Sequence, residues 1–241
     1  MKLTIMETEE AFDREAAMRV SRQVLINPES LIGLATGDTT KNIYAWMVKL
    51  HKELEIDYSR IKTCNLDEYV GVSGSNCSSC RYRIKESLLD HINIKPENGY
   101  VPNGLCEPSE AELGIFKERV EGFGGFDFIL LGVGNNGHIA FNEPGTPFNT
   151  TYRIAPISQG TQKDKSGLFG GDVYVPKYGI TMGIRDIMAA KKILLVAKGS
   201  NKATIIKKIF TGDVSVDVPA SVITLHPNAE ILIDRLAAAL I

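Results

Sequence analysis

Short apolar runs and longer amphipathic stretches follow one another along almost the whole chain. The apolar runs contain few polar residues, which is typical of strands that are buried on both faces of a parallel sheet. They predict strands at residues 2–6, 31–35, 61–66, 126–133, 178–182, 192–197 and 230–234.

The stretches between these runs repeat apolar residues three or four positions apart, which is the spacing of one face of a helix. Thr8 stands where the first helix begins and can cap it. Further helices are predicted at residues 78–89, 108–120, 184–190 and 201–210. The apolar faces of the first two helices are Phe12, Ala16, Val20 and Val24, and Ile43, Met47, Leu50 and Leu54.

This alternation of strands and helices predicts βαβ units. The expected fold class is therefore α/β, with a mainly parallel sheet and helices on both of its faces. No linker-like composition divides the 241 residues. We therefore expect a single three-layer domain over residues 1–241.

The formal net charge is -2 and the two signs are interspersed, whereas nucleic-acid and membrane surfaces are usually recognised by basic clusters. The expected partner is a small molecule, with no nucleic acid and no membrane. Glu7, Glu9 and Glu10 stand where a signal peptide needs an apolar segment. The sequence therefore predicts a cytoplasmic protein.

Four cysteines in a chain of this size, without a secretion signal, predict free thiols rather than a disulfide framework. Cys77 and Cys80 form a C-x-x-C motif, which some redox and zinc sites use. A zinc site would need a second pair of ligands at matching spacing, and none is present. We expect no metal, and a redox role for this pair is the less favoured interpretation.

Polar side chains crowd the turn that follows the predicted strand 126–133, and ligands of α/β sheets bind beyond such strand ends. His138 has a side chain that can both take and give a proton near neutral pH. Glu143 can fix its tautomer, and Asn136 can add a neutral hydrogen bond. We interpret this turn as a proton-transfer site; the alternative is a structural histidine beside a solvated carboxylate.

The same turn contains Gly132, Gly134 and Gly137 in the G-x-G-x-x-G spacing of dinucleotide sites. Such a site needs a helix that begins at the glycines and an acidic residue about 20 positions later. Pro144 would break that helix, and no Asp or Glu occurs between it and Lys163. We therefore expect no nucleotide cofactor.

Two other segments are candidates for binding a phosphate. The loop 36–40 joins a strand to a helix, and its amides and hydroxyls can hold an anion at the helix amino end. The alternative is an ordinary turn capped by Thr36 or Asp38, and a bound anion would require Asp38 to face away. Lys202 lies in the first turn of a predicted helix, where a cation is unfavourable unless an anion shares the site; otherwise it is a surface lysine.

Asp67 directly follows the predicted strand 61–66. A partly buried carboxylate at such a strand end can be tuned as a base. The alternatives are that Asp67 caps a turn or helix, or that its neighbour Glu68 is the base.

Six segments of the chain resemble a known family. They are LIGLATGDTT, CNLDEYVGV, FILLGVGNNGHIAFNEPGTPF, VPKYGITMGI, GSNKA and PASVITLHPN, in that order. Together they resemble glucosamine-6-phosphate deaminases, also called isomerases, over nearly the whole chain, and GHIAFNEPG is highly specific. The related 6-phosphogluconolactonases share the fold but lack the F-N-E-P pattern. The resemblance implies a Rossmann-like fold and conversion of an amino-sugar phosphate to a ketose phosphate and ammonia, without a cofactor.

The resemblance also implies a role for each candidate residue. His138 would open the sugar ring, aided by Glu143 and by Asn136, which is Asp in some members. Asp67 would take the proton from C2 and return it at C1. The implied phosphate-binding residues are Thr36, Gly37, Thr39 and Lys202.

The chain departs from the family pattern at two of these places. Gln162 aligns with an arginine that reaches the phosphate in glucosamine-specific members, and galactosamine-specific members tend to have glutamine there. Asp38 replaces a small residue, and Lys163 or Lys165 would restore positive charge. The segment 150–175 resembles the family's mobile lid.

Three hypotheses follow from these patterns. The first is a hexosamine-6-phosphate deaminase, with the glucosamine and galactosamine epimers nearly equal. The second is a sugar-phosphate lactonase, and the third is a sugar-phosphate binding protein without turnover. The last predicted strand lies close to Ile241, so the resemblance implies the short, unregulated type; monomer and homo-oligomer both stay open.

Overall fold

A computed structural model of the chain describes residues 1–107 and 109–241, and these contain ten strands and seven α-helices. Every predicted strand and helix is present within a few residues, although Pro108, the predicted start of one helix, lies outside the described residues. The strands are β1 (Lys2–Met6), β2 (Leu31–Leu34), β3 (Lys62–Asn65), β4 (Asp67–Tyr69), β5 (Gly99–Tyr100), β6 (Phe128–Gly132), β7 (Arg153–Pro156), β8 (Tyr178–Thr181), β9 (Ile193–Ala197) and β10 (Ala229–Asp234). The helices are α1 (Glu9–Ile26), α2 (Asp38–Leu54), α3 (Cys80–Ser87), α4 (Ser109–Gly122), α5 (Gln159–Phe169), α6 (Ile184–Met188) and α7 (Ala203–Thr211).

Seven of the strands form one sheet in the order β1-β10-β9-β6-β2-β3-β5, and its neighbouring strands pair in parallel. The predicted α/β class with a mainly parallel sheet is therefore confirmed. The chain winds outward from β2 through β3 to β5, and then from β6 through β9 to β10 on the other side. The direction of winding thus changes between the neighbours β2 and β6, and ligands bind at such a switch point.

Helices cover both faces of the sheet because its strands are apolar on both faces. One buried cluster joins α1, α2 and α3 to strand residues such as Leu34, Leu130 and Val196. The other joins α4, α6 and α7 to Leu131 and Leu195. Three layers result, as predicted, and no helix in the described part of the chain is long and apolar enough to cross a membrane.

The helix α2 differs from prediction at both ends. Leu54, predicted to be buried, is 59 % exposed because it is the last helical residue and Glu55 turns the backbone away at φ 52°. At the amino end the cap is Gly37 rather than Thr36 or Asp38, and its N–H donates to Thr40 Oγ1 at 3.1 Å. The helix therefore begins without a cap from either of the predicted side chains, Thr36 or Asp38.

A second, antiparallel sheet of order β4-β8-β7 was not predicted. The strand predicted at 178–182 is present, and it belongs to this small sheet. β4 is only three residues long and follows β3 after a single residue, and β7 ends in a proline. Strands this short show no period of two. The small sheet pairs Asp67 with Thr181 and so fixes the backbone of that strand.

The glycine-bearing segment 161–172 is mainly helical. α5 begins after Ser158, whose side chain accepts a hydrogen bond from the Thr161 N–H, and it ends at Gly170 with φ 76°. The sequence did not predict this helix because Gly160 and Gly167 weaken its propensity. A lid over residues 150–175 stays a prediction.

Candidate active site

Four adjacent strands of the parallel sheet end around one cavity of about 590 Å³. They are β9, β6, β2 and β3, and the loops after them supply most of its lining. Six of the predicted site residues line this cavity, two more contact the histidine, and Gln162 does neither. The lining residues among the predictions are Thr36, Gly37, Thr39, Asp67, His138 and Lys202.

The imidazole of His138 is held by Asn136 rather than directly by Glu143. Asn136 Oδ1 lies 2.8 Å from His138 Nδ1 and also accepts the backbone N–H of His138 at 3.1 Å. Asn136 Nδ2 donates to Glu143 Oε2 at 2.7 Å, while the distance from that oxygen to Nδ1 is 3.7 Å. Because the amide oxygen can only accept, the proton sits on Nδ1. Nε2 is then the basic nitrogen, and it has no hydrogen-bond partner among the described residues.

His138 stays neutral over the ordinary pH range. Burial lowers the pKa of this imidazole to about 4, against the opposing charge of Glu143 and with a further contribution from Lys165 and Lys202. A neutral imidazole with a free nitrogen can accept a proton from a hydroxyl and return it elsewhere. Glu143 Oε1 in turn accepts the Ser158 N–H at 3.2 Å, which ties this network to the start of α5.

At two of the three glycine positions in this turn, the structure explains why the residue is glycine. A Cβ added to Gly134 would lie 2.2 Å from Cε1 of His138, so only glycine leaves room for the ring. Gly137 has φ 93°, a left-handed conformation that other residues rarely adopt. The segment 133–152 contains turns and one isolated bridge but no helix that begins at the glycines. The glycines therefore shape a histidine turn.

Gly134→Ala is expected to displace the imidazole and break its hydrogen bond to Asn136. Without that hydrogen bond, the displaced ring should no longer favour the tautomer with its proton on Nδ1. Overpacking should also lower the free energy of unfolding by about 1–3 kcal/mol. The ¹⁵N NMR shifts of the His138 ring report its tautomer. Gly132→Ala is the matched control, because nothing lies within 4 Å of its added Cβ. Unchanged ring shifts in Gly134→Ala would contradict this steric role.

Asp67 lies at the start of β4 and is 8 % exposed. Burial, together with the neighbouring charge of Glu68, raises the pKa of this carboxyl to about 7. Glu68 is not free to act as the base, because its carboxylate accepts the backbone N–H groups of Tyr69, Cys80 and Arg81 at 2.8–2.9 Å. The helix cap predicted as an alternative for Asp67 is supplied instead by Ser79, whose side chain accepts the Tyr82 N–H, together with Glu68.

The loop after β2 offers unused polar groups to the cavity. The hydroxyl of Thr36 is buried and has no hydrogen-bond partner among the described residues. Gly37 begins α2 without a side-chain cap, so amides of the first turn remain available. Asp38 is 92 % exposed and its Oδ1 lies 3.3 Å from Arg83 Nη2, but the residue also lines the cavity. Its carboxylate is therefore paired with an arginine rather than turned away from the site.

Lys202 stands in a short 3-10 turn, Ser200–Lys202, immediately before α7. Its Nζ donates to Asn135 Oδ1 at 2.7 Å and no acidic side chain lies within 4 Å of it in the described chain. Burial, together with the charge of Lys165, lowers the pKa of Lys202 to about 8, against the opposing charges of Asp164 and Asp38. This lysine is therefore a half-buried cation without a carboxylate in direct contact, which favours an anion in the cavity.

Gln162 does not line the cavity, whereas Thr161, Asp164 and Lys165 of α5 do. Of the two lysines that the sequence offered as a source of positive charge, Lys165 is the one at the site. Gln162 Nε2 donates instead to the backbone carbonyl of Ile157 at 2.7 Å, on the first turn of the helix. The helix that carries both residues was not predicted, so their facing could not be deduced. Lys163 is exposed and does not line the cavity.

The cysteines of the C-x-x-C motif differ in their surroundings. All four cysteines of the chain are free; Cys77 is exposed and Cys80 is buried. Cys80 lines the cavity beside Asp67, with Sγ 3.6 Å from Asp67 Oδ1. Sequence reasoning considered this cysteine only as half of a redox or metal pair.

Known proteins resemble the chain over its full length. The profile of the family described as glucosamine-6-phosphate isomerases/6-phosphogluconolactonase matches residues 7–233. The glucosamine-6-phosphate deaminase of Thermoanaerobacter pseudethanolicus is 41 % identical over 241 residues, which are 100 % of this chain and 95 % of that protein. The solved structure of a monomeric glucosamine-6-phosphate deaminase is 36 % identical, with a TM-score of 0.98 and 100 % of both chains covered. A 6-phosphogluconolactonase from Trypanosoma brucei shares the fold at 17 % identity and a TM-score of 0.77, over 99 % of this chain and 97 % of that one.

Proposed function

Since the chain belongs to the family of glucosamine-6-phosphate isomerases and 6-phosphogluconolactonases, we propose that it is a hexosamine-6-phosphate deaminase. It converts an amino-sugar 6-phosphate and water to a ketose 6-phosphate and ammonia. One observation carries this choice: a buried carboxyl with a pKa of about 7, Asp67, shares a cavity with a neutral imidazole, His138. That pair suits a ring opening followed by proton transfer between two carbons.

The ring-opening step is assigned to His138. Its free Nε2 takes the proton of the C1 hydroxyl and returns a proton to the ring oxygen as the C1–O5 bond breaks. Asn136 keeps the other nitrogen protonated, and Glu143 orients Asn136. The imidazole must be neutral before it can take this proton, and it is neutral because the pKa of His138 is low.

The carbon-acid step is assigned to Asp67. The aldehyde at C1 acidifies the C2 hydrogen, and the carboxylate removes it to leave an enol-type intermediate. Asp67 returns the proton at C1, which leaves an imine at C2. Water adds to that imine and ammonia leaves, so the products are a ketose phosphate and ammonia. A carboxylate whose pKa lies near neutrality is a stronger base than an ordinary aspartate and still ionises at pH 7.

The phosphate is assigned to the end of the cavity formed by the loop after β2. The Thr36 hydroxyl and the first amides of α2 supply neutral donors, and the helix dipole favours an anion there. Lys202 and Lys165, which also line the cavity, supply positive charge. Lys165 takes the place that the sequence gave to Gln162.

The helix α5 is proposed to act as the lid over this cavity. Its Lys165 and Thr161 line the site, and Thr161 Oγ1 lies 3.3 Å from His138 Nδ1. The Leu168 carbonyl accepts the Ser78 hydroxyl at 2.8 Å, which holds the far end of the helix near α3. Closure of such an element would exclude water until the imine has formed.

Glucosamine 6-phosphate is the proposed substrate. The full-length relatives described above act on that epimer by name. Gln162, which suggested the galactosamine epimer, bonds to a backbone carbonyl and does not line the cavity.

A coupled assay tests this function against its alternatives. Ammonia and fructose or tagatose 6-phosphate are measured with each amino-sugar phosphate, and lactone hydrolysis is measured with 6-phosphogluconolactone. Ammonia release with fructose 6-phosphate supports the proposal. Lactone hydrolysis without ammonia would replace it with the lactonase function, and ligand-induced thermal stabilisation without turnover would leave only a binding protein.

Lys202→Ala is expected to raise KM for the amino-sugar phosphate roughly 10- to 100-fold, because it removes a charged hydrogen bond to the phosphate. The effect on kcat should be small, since the phosphate is not a reacting group. Lys208→Ala is the control, because this lysine is exposed on α7 and does not line the cavity. Inhibition by inorganic phosphate should weaken in the same variant. An unchanged KM would place the phosphate elsewhere.

A further inference from the structure

The carboxylate of Asp67 has an unusual hydrogen-bond partner. In the described part of the chain, its side-chain oxygens accept from a single donor, the Cys80 thiol, at 3.6 Å from Oδ1. Both side chains are buried and both line the cavity. One oxygen is thus engaged by the protein and the other is left for the substrate.

We propose that Cys80 is a positioning residue, whose thiol holds the Asp67 carboxylate in the orientation that reaches the C2 hydrogen. This role rests on the proposed deaminase function. It gives the buried half of the C-x-x-C motif a task in proton transfer rather than in redox or metal chemistry.

The position of the thiol is fixed by the neighbouring carboxylate. Glu68 accepts the Cys80 N–H at 2.9 Å through one oxygen and the Arg81 N–H at 2.9 Å through the other. These are donors of the first turn of α3, which a helix otherwise leaves without partners. Asp67 and Glu68 are adjacent on β4, so the same strand that carries the base also anchors the helix that carries its donor.

A thiol suits this position because it donates weakly. A strong donor would stabilise the carboxylate and make it a poorer base, whereas a missing donor would leave its orientation free. Burial, together with the charges of Glu68 and Asp67, raises the pKa of the Cys80 thiol well above its usual value, so the thiol keeps its proton.

The other charged or titratable groups near Asp67 come from four elements. Glu68 and Tyr69 share its strand, Arg83 lies on α3, Tyr44 on α2 and Lys165 on α5. None of these donates a hydrogen bond to the Asp67 side chain in the described chain. Substitution at Cys80 therefore changes the one direct donor and leaves these charges in place.

The decisive experiment titrates Asp67 itself in the ligand-free protein, by ¹³C NMR of side-chain carboxyl groups. The Asp67 signal is the one that disappears in Asp67→Asn. Cys80→Ala is expected to raise its pKa by roughly 0.5 to 1 because a donor to the charged form is lost. Cys80→Ser retains a donor and should return the value to that of the wild type or below it. Cys77→Ala, which removes the exposed thiol of the motif, should leave it unchanged.

Kinetics provide the second readout. In Cys80→Ala the kcat for ammonia release should fall about 10-fold with KM nearly constant, and the acidic limb of kcat/KM should move to higher pH by the same amount as the carboxyl titration. Cys80→Ser should recover part of kcat, because its hydroxyl restores a donor that orients the carboxylate but, as a stronger donor than the thiol, makes that carboxylate a poorer base. Equal Asp67 titrations in the wild type and Cys80→Ala, or a serine variant that matches alanine, would overturn the proposal.

The two proposals can fail separately. If no amino-sugar phosphate releases ammonia from the wild type, the deaminase function fails, whereas the NMR titration still decides whether Cys80 controls the Asp67 carboxyl. If the wild type turns over and the Cys80 variants titrate and react like it, only the positioning role fails.

Discussion

Asp67→Asn should lower the kcat for ammonia release roughly 10²- to 10⁴-fold, which is the contribution of a positioned general base. Asparagine has nearly the same shape but cannot accept the C2 proton. In D₂O with added ammonium, the C1 position of fructose 6-phosphate should acquire deuterium through the reverse reaction with the wild type and not with this variant, as followed by ¹H NMR. Equal turnover in the two proteins would remove Asp67 from the chemistry.

The ionisation of the Asp67 carboxyl should also appear in the dependence of wild-type kcat/KM on pH. Because the base must be deprotonated, kcat/KM is expected to fall tenfold per pH unit below the pKa of Asp67, which is about 7. The residual activity of Asp67→Asn should lack this limb. An acidic limb near pH 4 in the wild type would contradict the raised pKa.

Stability measurements guard against the trivial explanation that Asp67→Asn unfolds. The folded-state pKa of Asp67 lies above its ordinary value of 3.8, so wild-type stability is lost as the pH rises from about 4 to about 7. Asparagine carries no such penalty. The variant should therefore exceed the wild type in urea unfolding by an amount that grows over this window, on the order of 2–4 kcal/mol at pH 8 and less at pH 5. A less stable variant at pH 8 would contradict the buried charge.

His138→Gln should lower kcat for the cyclic substrate by a similar factor, roughly 10²- to 10⁴-fold. Glutamine can occupy the turn but cannot move a proton from the C1 hydroxyl to the ring oxygen. The acidic limb near pH 7 should persist, because His138 has a pKa of about 4 and does not produce it. The measurement is kcat/KM against pH with glucosamine 6-phosphate.

Two comparisons separate ring opening from the later steps. An acyclic amino-hexitol 6-phosphate, which resembles the opened ring, should bind His138→Gln and the wild type equally in calorimetry. His226→Gln is the matched control, because His226 is also buried but bonds to the Ala190 carbonyl away from the cavity. The His226→Gln variant should be less stable than the wild type but should retain its kcat. If His138→Gln loses the acyclic ligand as well, the imidazole binds substrate rather than opening it.

The apolar runs were sufficient to predict the parallel sheet. Buried strands such as 126–133 consist almost wholly of apolar residues, and the polar groups that follow them necessarily meet at one edge. The pairing of Asp67 with His138 around one cavity followed from this rule alone. The second sheet could not be predicted in this way. Its outer strands β4 and β7 are too short to show a periodic pattern, and each pairs only with the central strand β8.

The direction in which individual side chains point could not be predicted from the sequence either. Glu143 was expected to orient His138 directly, but the order of polar residues in a turn does not reveal that Asn136 lies between them. Gln162 and Lys165 are three residues apart, and only the presence and rotation of α5 decide which of them faces the cavity. The contact of Cys80 with Asp67 likewise depends on where α3 begins.

The strand order also bears on how the protein acquires its site during folding. The cavity needs the loops after β2, β3, β6 and β9, which are distant in sequence and adjacent only in the finished sheet. Such long-range pairings form late because chain closure must precede the contacts that reward it. During synthesis, no nascent chain that ends before β9 contains Lys202 or the strand that places it beside β6. A chain that ends just before β9 already contains the loops after β2, β3 and β6, with Asp67 and His138, so the cavity lining is completed only when β9 joins the sheet beside β6.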